Sequence, residues 1–266
     1  MQVFPMQDAQ STEFYTAALD ILHEASVEFL VGGAFALRTY TGIERNTKDL
    51  DLMMRPRDVD RALEAFRKAG FRADYAFSHW LAKAHRGEYF LDIIYRAGNG
   101  LCEVDDLWFS NSRTTEIFDR SLRICPPEEM IWQKAYIMER ERFDGADVVH
   151  LLRCCSPELD WDRLITRFAG DWRVLLSHMI MFGFIYPGER HLIPEPLLAE
   201  LLQRAASERS ERRNGTQLCQ GTLVSRAQYL PDVERWGLDD ARTKGRGCMT
   251  EEEREEWANA IDREQH

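Results

Sequence analysis

The stretch FLVGGAFALRTYTGIERNTKDLDLMM, at positions 29–54, constrains the fold of this chain more than any other segment. It begins with a short apolar run, which predicts a buried strand, and continues with Gly32-Gly33. Residues 34–40 have helical character, and a polar turn then leads into the run DLDLMM at 49–54. The stretch therefore predicts a compact unit of strand, glycine turn, helix and second strand.

The second strand of this unit carries two carboxylates at alternate positions. Side chains alternate between the two faces of a strand, so Asp49 and Asp51 are expected on one face and Leu50 and Leu52 on the other, in a core. Two neighbouring carboxylates repel each other unless a cation lies between them. A hard divalent cation such as Mg²⁺ prefers oxygen ligands, and the pair is therefore a candidate metal site.

A third carboxylate, Asp92, lies within YFLDIIY at 89–95, a segment whose aromatic and branched residues predict another strand. A carboxylate inside so apolar a strand is costly unless it is paired or bound to a cation. We therefore expect Asp92 to come from a neighbouring strand and to join Asp49 and Asp51.

The remaining pattern predicts an α/β (α+β) fold, in which a small mixed β-sheet with flanking helices is followed by a helical domain. The expected divisions are a core at 1–125, a helical domain at 126–206, and a linker with a helical tail at 207–266. Helices are predicted over residues 11–25, 58–68, 130–142, 143–153, 160–168, 172–184 and 196–206, and strands or ribbons over 71–75, 80–84 and 117–124.

Composition limits the classes of partner and the compartment. The 266 residues carry a net charge of -11, which argues against a broad nucleic-acid surface and better suits a cationic small molecule or a protein partner. None of the six cysteines forms a CxxC pair, so free buried thiols in a reducing cytosol are expected. No signal peptide and no run long enough to span a membrane are seen, and a cytoplasmic location is predicted.

These residues together resemble the DNA polymerase beta-like nucleotidyltransferase superfamily, and within it the minimal nucleotidyltransferase and AbiEii-type branch. The resemblance covers residues 29 to about 152. It rests on Gly32-Gly33, on Arg45 and Thr47 ahead of Asp49-x-Asp51, on Asp92, and on a weaker helical pattern formed by Lys134, Arg140, Asp144 and Asp147.

The resemblance implies transfer of a nucleoside monophosphate from a nucleoside triphosphate, with ATP expected, to an acceptor hydroxyl. Two Mg²⁺ ions would be held by Asp49, Asp51 and Asp92, with Asp92 also acting as base. The acceptor would be tRNA, a protein or a cationic small molecule, and the nucleotide would lie in a cleft between the two domains. The alternative is a catalytically weak, antitoxin-like binding module of a toxin–antitoxin pair.

The resemblance also implies nucleotide-binding roles, each beside a structural alternative. Gly32 and Gly33 would approach the triphosphate, or simply form a tight turn. Arg45 would reach a phosphate or pair with Asp49, and Thr47 would help to bind nucleotide or stabilise the turn. Lys134 would neutralise the pyrophosphate, or be a lysine of an amphipathic helix that extends its charge to solvent.

Overall fold

A seven-stranded mixed sheet forms the centre of the N-terminal part of this protein. The computed structural model describes residues 9–45, 47, 49–208, 217–244 and 246–260. The chain divides into two compact units, Met1–Pro126 and Pro127–His266. The mixed sheet with flanking helices confirms the predicted fold class.

The strands of the first unit are arranged in the order β3-β4-β5-β2-β1-β7-β6. Strand β2 runs antiparallel to β1 and parallel to β5, so the strand that follows Asp49 lies beside the strand that carries Asp92. The elements of this unit are α1 (Ala9–Glu24), β1 (Leu30–Val31), α2 (Gly33–Thr41), β2 (Leu50–Met53), α3 (Pro56–Lys68), β3 (Arg72–Phe77), β4 (Leu81–Arg86), β5 (Tyr89–Ile94), α4 (Asp106–Ser110), β6 (Arg113–Ile117) and β7 (Arg120–Ile124).

Helix α3 illustrates how the sequence produces these elements. Pro56 occupies its first turn, where the missing N–H is not needed, and Gly70 follows its end with a left-handed φ of 83°. Four apolar residues at helical spacing, Val59, Ala62, Leu63 and Phe66, are buried on one side.

The predicted ribbon at 117–124 is a hairpin, formed by β6 and β7 over a two-residue turn. Both turn residues, Phe118 and Asp119, have φ near +55° (54° and 56°), as such a turn requires. Neither residue is glycine or asparagine, so the usual sequence signal for this turn is missing and β6 was not foreseen.

The second unit is mainly helical, and α5 packs against α6 and α7 while α8 packs against α6, α7 and α9. Two short parallel strands, β8 and β9, pair beside these helices. The elements are α5 (Pro127–Lys134), α6 (Gly145–Cys155), α7 (Trp161–Phe168), α8 (Trp172–Ile185), α9 (Glu195–Glu208), β8 (Leu218–Cys219), α10 (Leu230–Glu234), β9 (Asp239–Asp240) and α11 (Glu251–Asn259). Of the predicted linker, residues 209–216 lie outside the described residues.

The predicted helix over 130–142 is wrong in its second half, because α5 ends at Lys134. The chain then turns back, and Met138 forms a bridge with Phe143 while its N–H donates to the carbonyl of Val224. The Tyr136 hydroxyl donates to Asp171 at 2.8 Å. These tertiary contacts override the helical propensity of the charged segment.

Two other expectations concern the thiols and the membrane. All six cysteines are free, but Cys154 and Cys248 are exposed, so the expectation of buried thiols is wrong for these two. Among the described helices, none combines the length and the apolar character needed to cross a bilayer.

Candidate active site

Asp51 and Asp92 are paired residues of the parallel strands β2 and β5. Their neighbours Leu50, Leu52, Leu91 and Ile93 are all 0% exposed, so one face of both strands is sealed in the core. Because side chains alternate, both carboxylates lie on the opposite face. Asp49 directly precedes β2, two residues before Asp51, and so lies on the same side.

One oxygen from each of these three carboxylates lies within 4.8 Å of the other two. This is the convergence that the sequence predicted for Asp49, Asp51 and Asp92. Three carboxylates so close together need a compensating charge, and carboxylate oxygens suit Mg²⁺. The set therefore fits a divalent cation by both its chemistry and its spacing.

Asp92 is largely buried and is paired with a lysine. Its side chain is 13% exposed, and Lys83 of β4, which lies directly opposite, donates to its Oδ1 at 2.7 Å. Burial raises the pKa of Asp92 above its ordinary value, Lys83 opposes that rise, and the charge of Asp49 adds to it. A raised pKa makes this carboxylate a better proton acceptor than an ordinary surface aspartate.

Lys83 was not predicted as a site residue, although the sequence contained the signal. The two-residue turn Gly87-Glu88 joins β4 to β5 and sets their antiparallel register, which places Lys83 opposite Asp92. The Lys83 ammonium also lies 4.6 Å from the ring centroid of Phe90, a contact that limits where it can move.

Thr47 positions the first carboxylate. Its Oγ1 donates at 2.7 Å to Oδ1 of Asp49 and lies 3.1 Å from the Asp49 carbonyl. This matches the turn-forming alternative for Thr47 and also orients a carboxylate of the cluster. Arg45 is exposed on the same turn. Alternation along the strand directs Lys48 away from Asp49 and predicts a surface residue, but Lys48 lies outside the described residues.

The glycine pair lies directly against the carboxylates. The Gly32 N–H donates to the Asp51 carbonyl at 2.9 Å, and helix α2 begins at Gly33, which has a φ of +52°. A Cβ on Gly33 would lie 1.7 Å from Oδ2 of Asp51, so no side chain fits there. The N-terminal amides of α2 therefore begin beside the acidic cluster, where a helix favours anions.

The weaker helical pattern lies in the second unit. Lys134 donates to Asp144 at 2.7 Å and lies 2.9 Å from Asp147. Arg142, rather than the predicted Arg140, completes the group by bonding both oxygens of Asp144 at 2.9 Å. The two aspartates thus orient Lys134, while its role toward a nucleotide stays a prediction.

Comparison with known proteins decides the family. The protein family described as "Uncharacterised nucleotidyltransferase" matches residues 23–177, more than half of the chain. The chain belongs to this nucleotidyltransferase family. It is an enzyme that transfers nucleotidyl groups, and the matched region contains all three carboxylates. The superfamily resemblance is thereby confirmed, whereas the AbiEii-type branch stays a prediction.

Several solved structures are partly similar to this nucleotidyltransferase, and three of them have the following identity and coverage. The solution structure of the antibiotic-resistance factor ANT(2'')-Ia is 16% identical, with a TM-score of 0.44 over 65% of this chain and 98% of that one. The lincosamide antibiotic adenylyltransferase LnuA, bound to lincomycin, is 16% identical with a TM-score of 0.39, covering 54% and 96%. An antigenic nucleotidyltransferase-like protein from Paracoccidioides brasiliensis is 14% identical with a TM-score of 0.38, covering 66% and 94%. No curated protein sequence gives a significant match.

Proposed function

We propose that this nucleotidyltransferase moves a nucleoside monophosphate from ATP to an acceptor hydroxyl at a Mg²⁺ site formed by Asp49, Asp51 and Asp92. The observation that carries the proposal is the convergence of the three carboxylates within 4.8 Å on one face of the sheet. When bound, divalent cations supply charge neutralisation for the attacking and leaving oxygens.

The residues of this chain then have separate tasks. Asp49, oriented by Thr47, holds the cation together with Asp51 and Asp92, while the amides that follow Gly32 bind the triphosphate at the start of α2. Arg45, which is exposed on the turn before Asp49, contributes positive charge toward a phosphate in this proposal.

Asp92 accepts the proton of the acceptor hydroxyl. Its Oδ1 is engaged by Lys83, so Oδ2 is the atom available for the proton. The acceptor oxygen forms a bond to the α-phosphorus, the bond from that phosphorus to the bridging oxygen breaks, and pyrophosphate leaves with the electron pair.

Transfer of label from α-phosphate-labelled ATP tests the proposal. We expect Asp49→Asn and Asp51→Asn to lose activity by about 10²-fold or more, because each removes a carboxylate needed for charge stabilisation. The matched control is Asp119→Asn, an exposed turn residue whose φ of 56° asparagine tolerates well. Full activity in both cluster variants, with normal folding, would show that the site lies elsewhere.

A further inference from the structure

A surface pocket of about 240 Å³ lies on strands β3 and β4, beside the candidate active site. We call it the β3–β4 pocket. Its lining includes Lys83, the same residue whose ammonium bonds Asp92 at 2.7 Å. Lys83 therefore lines the pocket and contacts the Asp92 carboxylate at the same time. Its lining residues are Arg72, Asp74, Tyr75, Ala76, Lys83 and His85.

The register of the sheet relates the pocket to the carboxylates. Asp51, Asp92, Lys83 and Asp74 are paired in turn across β2, β5, β4 and β3, and so form one row on one face. A second pairing on the same face, two residues along each strand, joins Arg72 to His85. The pocket thus continues the face that bears the cluster.

The glycine turn and the pocket lie on opposite flanks of the carboxylates. Strand order places β1, which leads into Gly33, on one side of β2 and β5, and places β4 and β3 on the other. Phosphoryl transfer needs the attacking and leaving oxygens roughly in line on opposite sides of phosphorus. If the triphosphate lies at the glycine turn, the acceptor approaches from the side of Lys83.

The charges in the pocket indicate what such an acceptor carries. Lys83 forms an ion pair with Asp92, and the Asp74 carboxylate forms one with Arg67 at 3.2 Å. Within the described part of the chain, Arg72 forms no ion pair, and it lines the pocket as an exposed cation. Beside it, burial lowers the pKa of His85, and the charges of Arg72 and Lys83 lower it further. His85 is then a neutral hydrogen-bonding group next to a cation.

We propose that the β3–β4 pocket is the acceptor subsite, and that Arg72 and His85 bind a phosphate group of an acceptor whose hydroxyl lies at Asp92. An arginine guanidinium suits phosphate because it donates two parallel hydrogen bonds to it. The proposal rests on the proposed function and, among the predicted acceptors, favours one that carries phosphate over a cationic small molecule. A phosphorylated small molecule and an RNA end share this chemistry.

Binding of inorganic phosphate, without nucleotide or divalent cation, tests the pocket independently of catalysis. Nuclear magnetic resonance should show saturable shifts of the His85 ring signals, assigned with His85→Gln. We expect Arg72→Gln to weaken binding about tenfold or more and Arg72→Lys to retain part of it. The matched control is Arg86→Gln on the same strand pair, since Arg86 contacts the Phe71 ring instead and should bind phosphate normally.

Label transfer then identifies the source of the phosphate. Wild type is incubated with α-labelled ATP and Mg²⁺ plus the small-molecule or the RNA fraction of a lysate, each with and without phosphatase treatment. A labelled product that is RNA, or a small molecule lost on phosphatase treatment, supports the subsite. Arg72→Gln should raise the KM for that fraction about tenfold while the KM for ATP stays unchanged.

Two results would overturn the subsite: phosphate affinity that is equal in wild type and Arg72→Gln, or labelling of a phosphate-free compound at equal rates in both. Absence of any label transfer by wild type would instead contradict the proposed function. The phosphate titration would still decide the pocket in that case, so the two failures can be told apart.

Discussion

Asp51 and Asp92 lie directly opposite each other on two parallel strands, and both project from the face of the sheet that is not sealed by leucine and isoleucine. This pairing brings carboxylates that are far apart in sequence to one place. It also predicts that every contact that orients them matters for activity.

Gly33→Ala should abolish nucleotidyl transfer, because the added Cβ would lie 1.7 Å from Oδ2 of Asp51 at a φ of +52°. The matched control is Gly42→Ala, since Gly42 also has a positive φ, +70°, with no atom within 4 Å of its added Cβ. Backbone strain should cost each variant about 1 kcal/mol of stability, and Gly33→Ala should lose more because its Cβ overlaps the Asp51 side chain. Only Gly33→Ala should also lose label transfer, and equal activity of the two would contradict the close approach.

Thr47→Val should weaken divalent binding, because Asp49 loses the hydroxyl that donates to its Oδ1 at 2.7 Å. A hydrogen bond to a charged group contributes about 1.5–3 kcal/mol, so roughly a tenfold loss of Mg²⁺ affinity or more is expected. Thr47→Ser keeps the hydroxyl and should behave as wild type in calorimetric titration with Mg²⁺. If Thr47→Val binds Mg²⁺ as tightly as wild type, the hydrogen bond to Asp49 does not matter for the site and this role of Thr47 is contradicted.

Asp92→Asn should stabilise the metal-free protein at neutral pH. Burial raises the pKa of Asp92 in the folded state above its ordinary value of 3.8. The folded protein therefore binds the extra proton between the two pKa values, and stability falls as the pH rises through that interval. The Asp92→Asn variant has no carboxyl group at this position, so its folding stability does not fall over that pH interval for this reason. Denaturant unfolding of both proteins in chelator at several pH values measures the difference, and a wild type that gains on the variant with rising pH would contradict it.

Asp144 should stabilise the folded protein more as the pH rises, which is opposite to the pH dependence expected for Asp92. Burial opposes its charge, but hydrogen bonds and charges of Arg142 and Lys134 outweigh burial and lower its pKa to about 2. This contribution, about 2 kcal/mol, is present above pH 3.8 and is lost as the pH falls toward 2. We expect the stability difference between wild type and Asp144→Asn to shrink over that range in acid unfolding. A difference that does not change between pH 5 and pH 2 would count against the ion pairs.

The candidate site was largely predictable because its signals are local and periodic. Alternation placed Asp49 and Asp51 on one face, and the apolar strand around Asp92 identified the third carboxylate. A neighbouring strand was predicted for Asp92, but the parallel direction and register of β2 and β5 were not, since they depend on how α3 and the β3–β4 hairpin return the chain. Lys83 was missed because its significance depends on the register across from Asp92.

Elements held by distant partners were the least predictable. The end of α5 at Lys134 depends on aspartates ten and thirteen residues later and on a hydrogen bond from Met138 to Val224. Phe118 and Asp119 of the hairpin turn have left-handed backbone conformations, but neither is the glycine or asparagine that usually marks such a turn in a sequence. In both cases tertiary contacts outweigh local propensity.

Anomalous scattering from Mn²⁺ tests most directly whether Asp49, Asp51 and Asp92 hold the catalytic divalent cation. A crystal grown with Mn²⁺ and a non-hydrolysable ATP analogue should show a strong anomalous peak in contact with carboxylate oxygens of Asp49 and Asp51, with the analogue's phosphates beside the Gly32-Gly33 turn. A well-ordered nucleotide whose Mn²⁺ touches none of the three carboxylates would contradict the account.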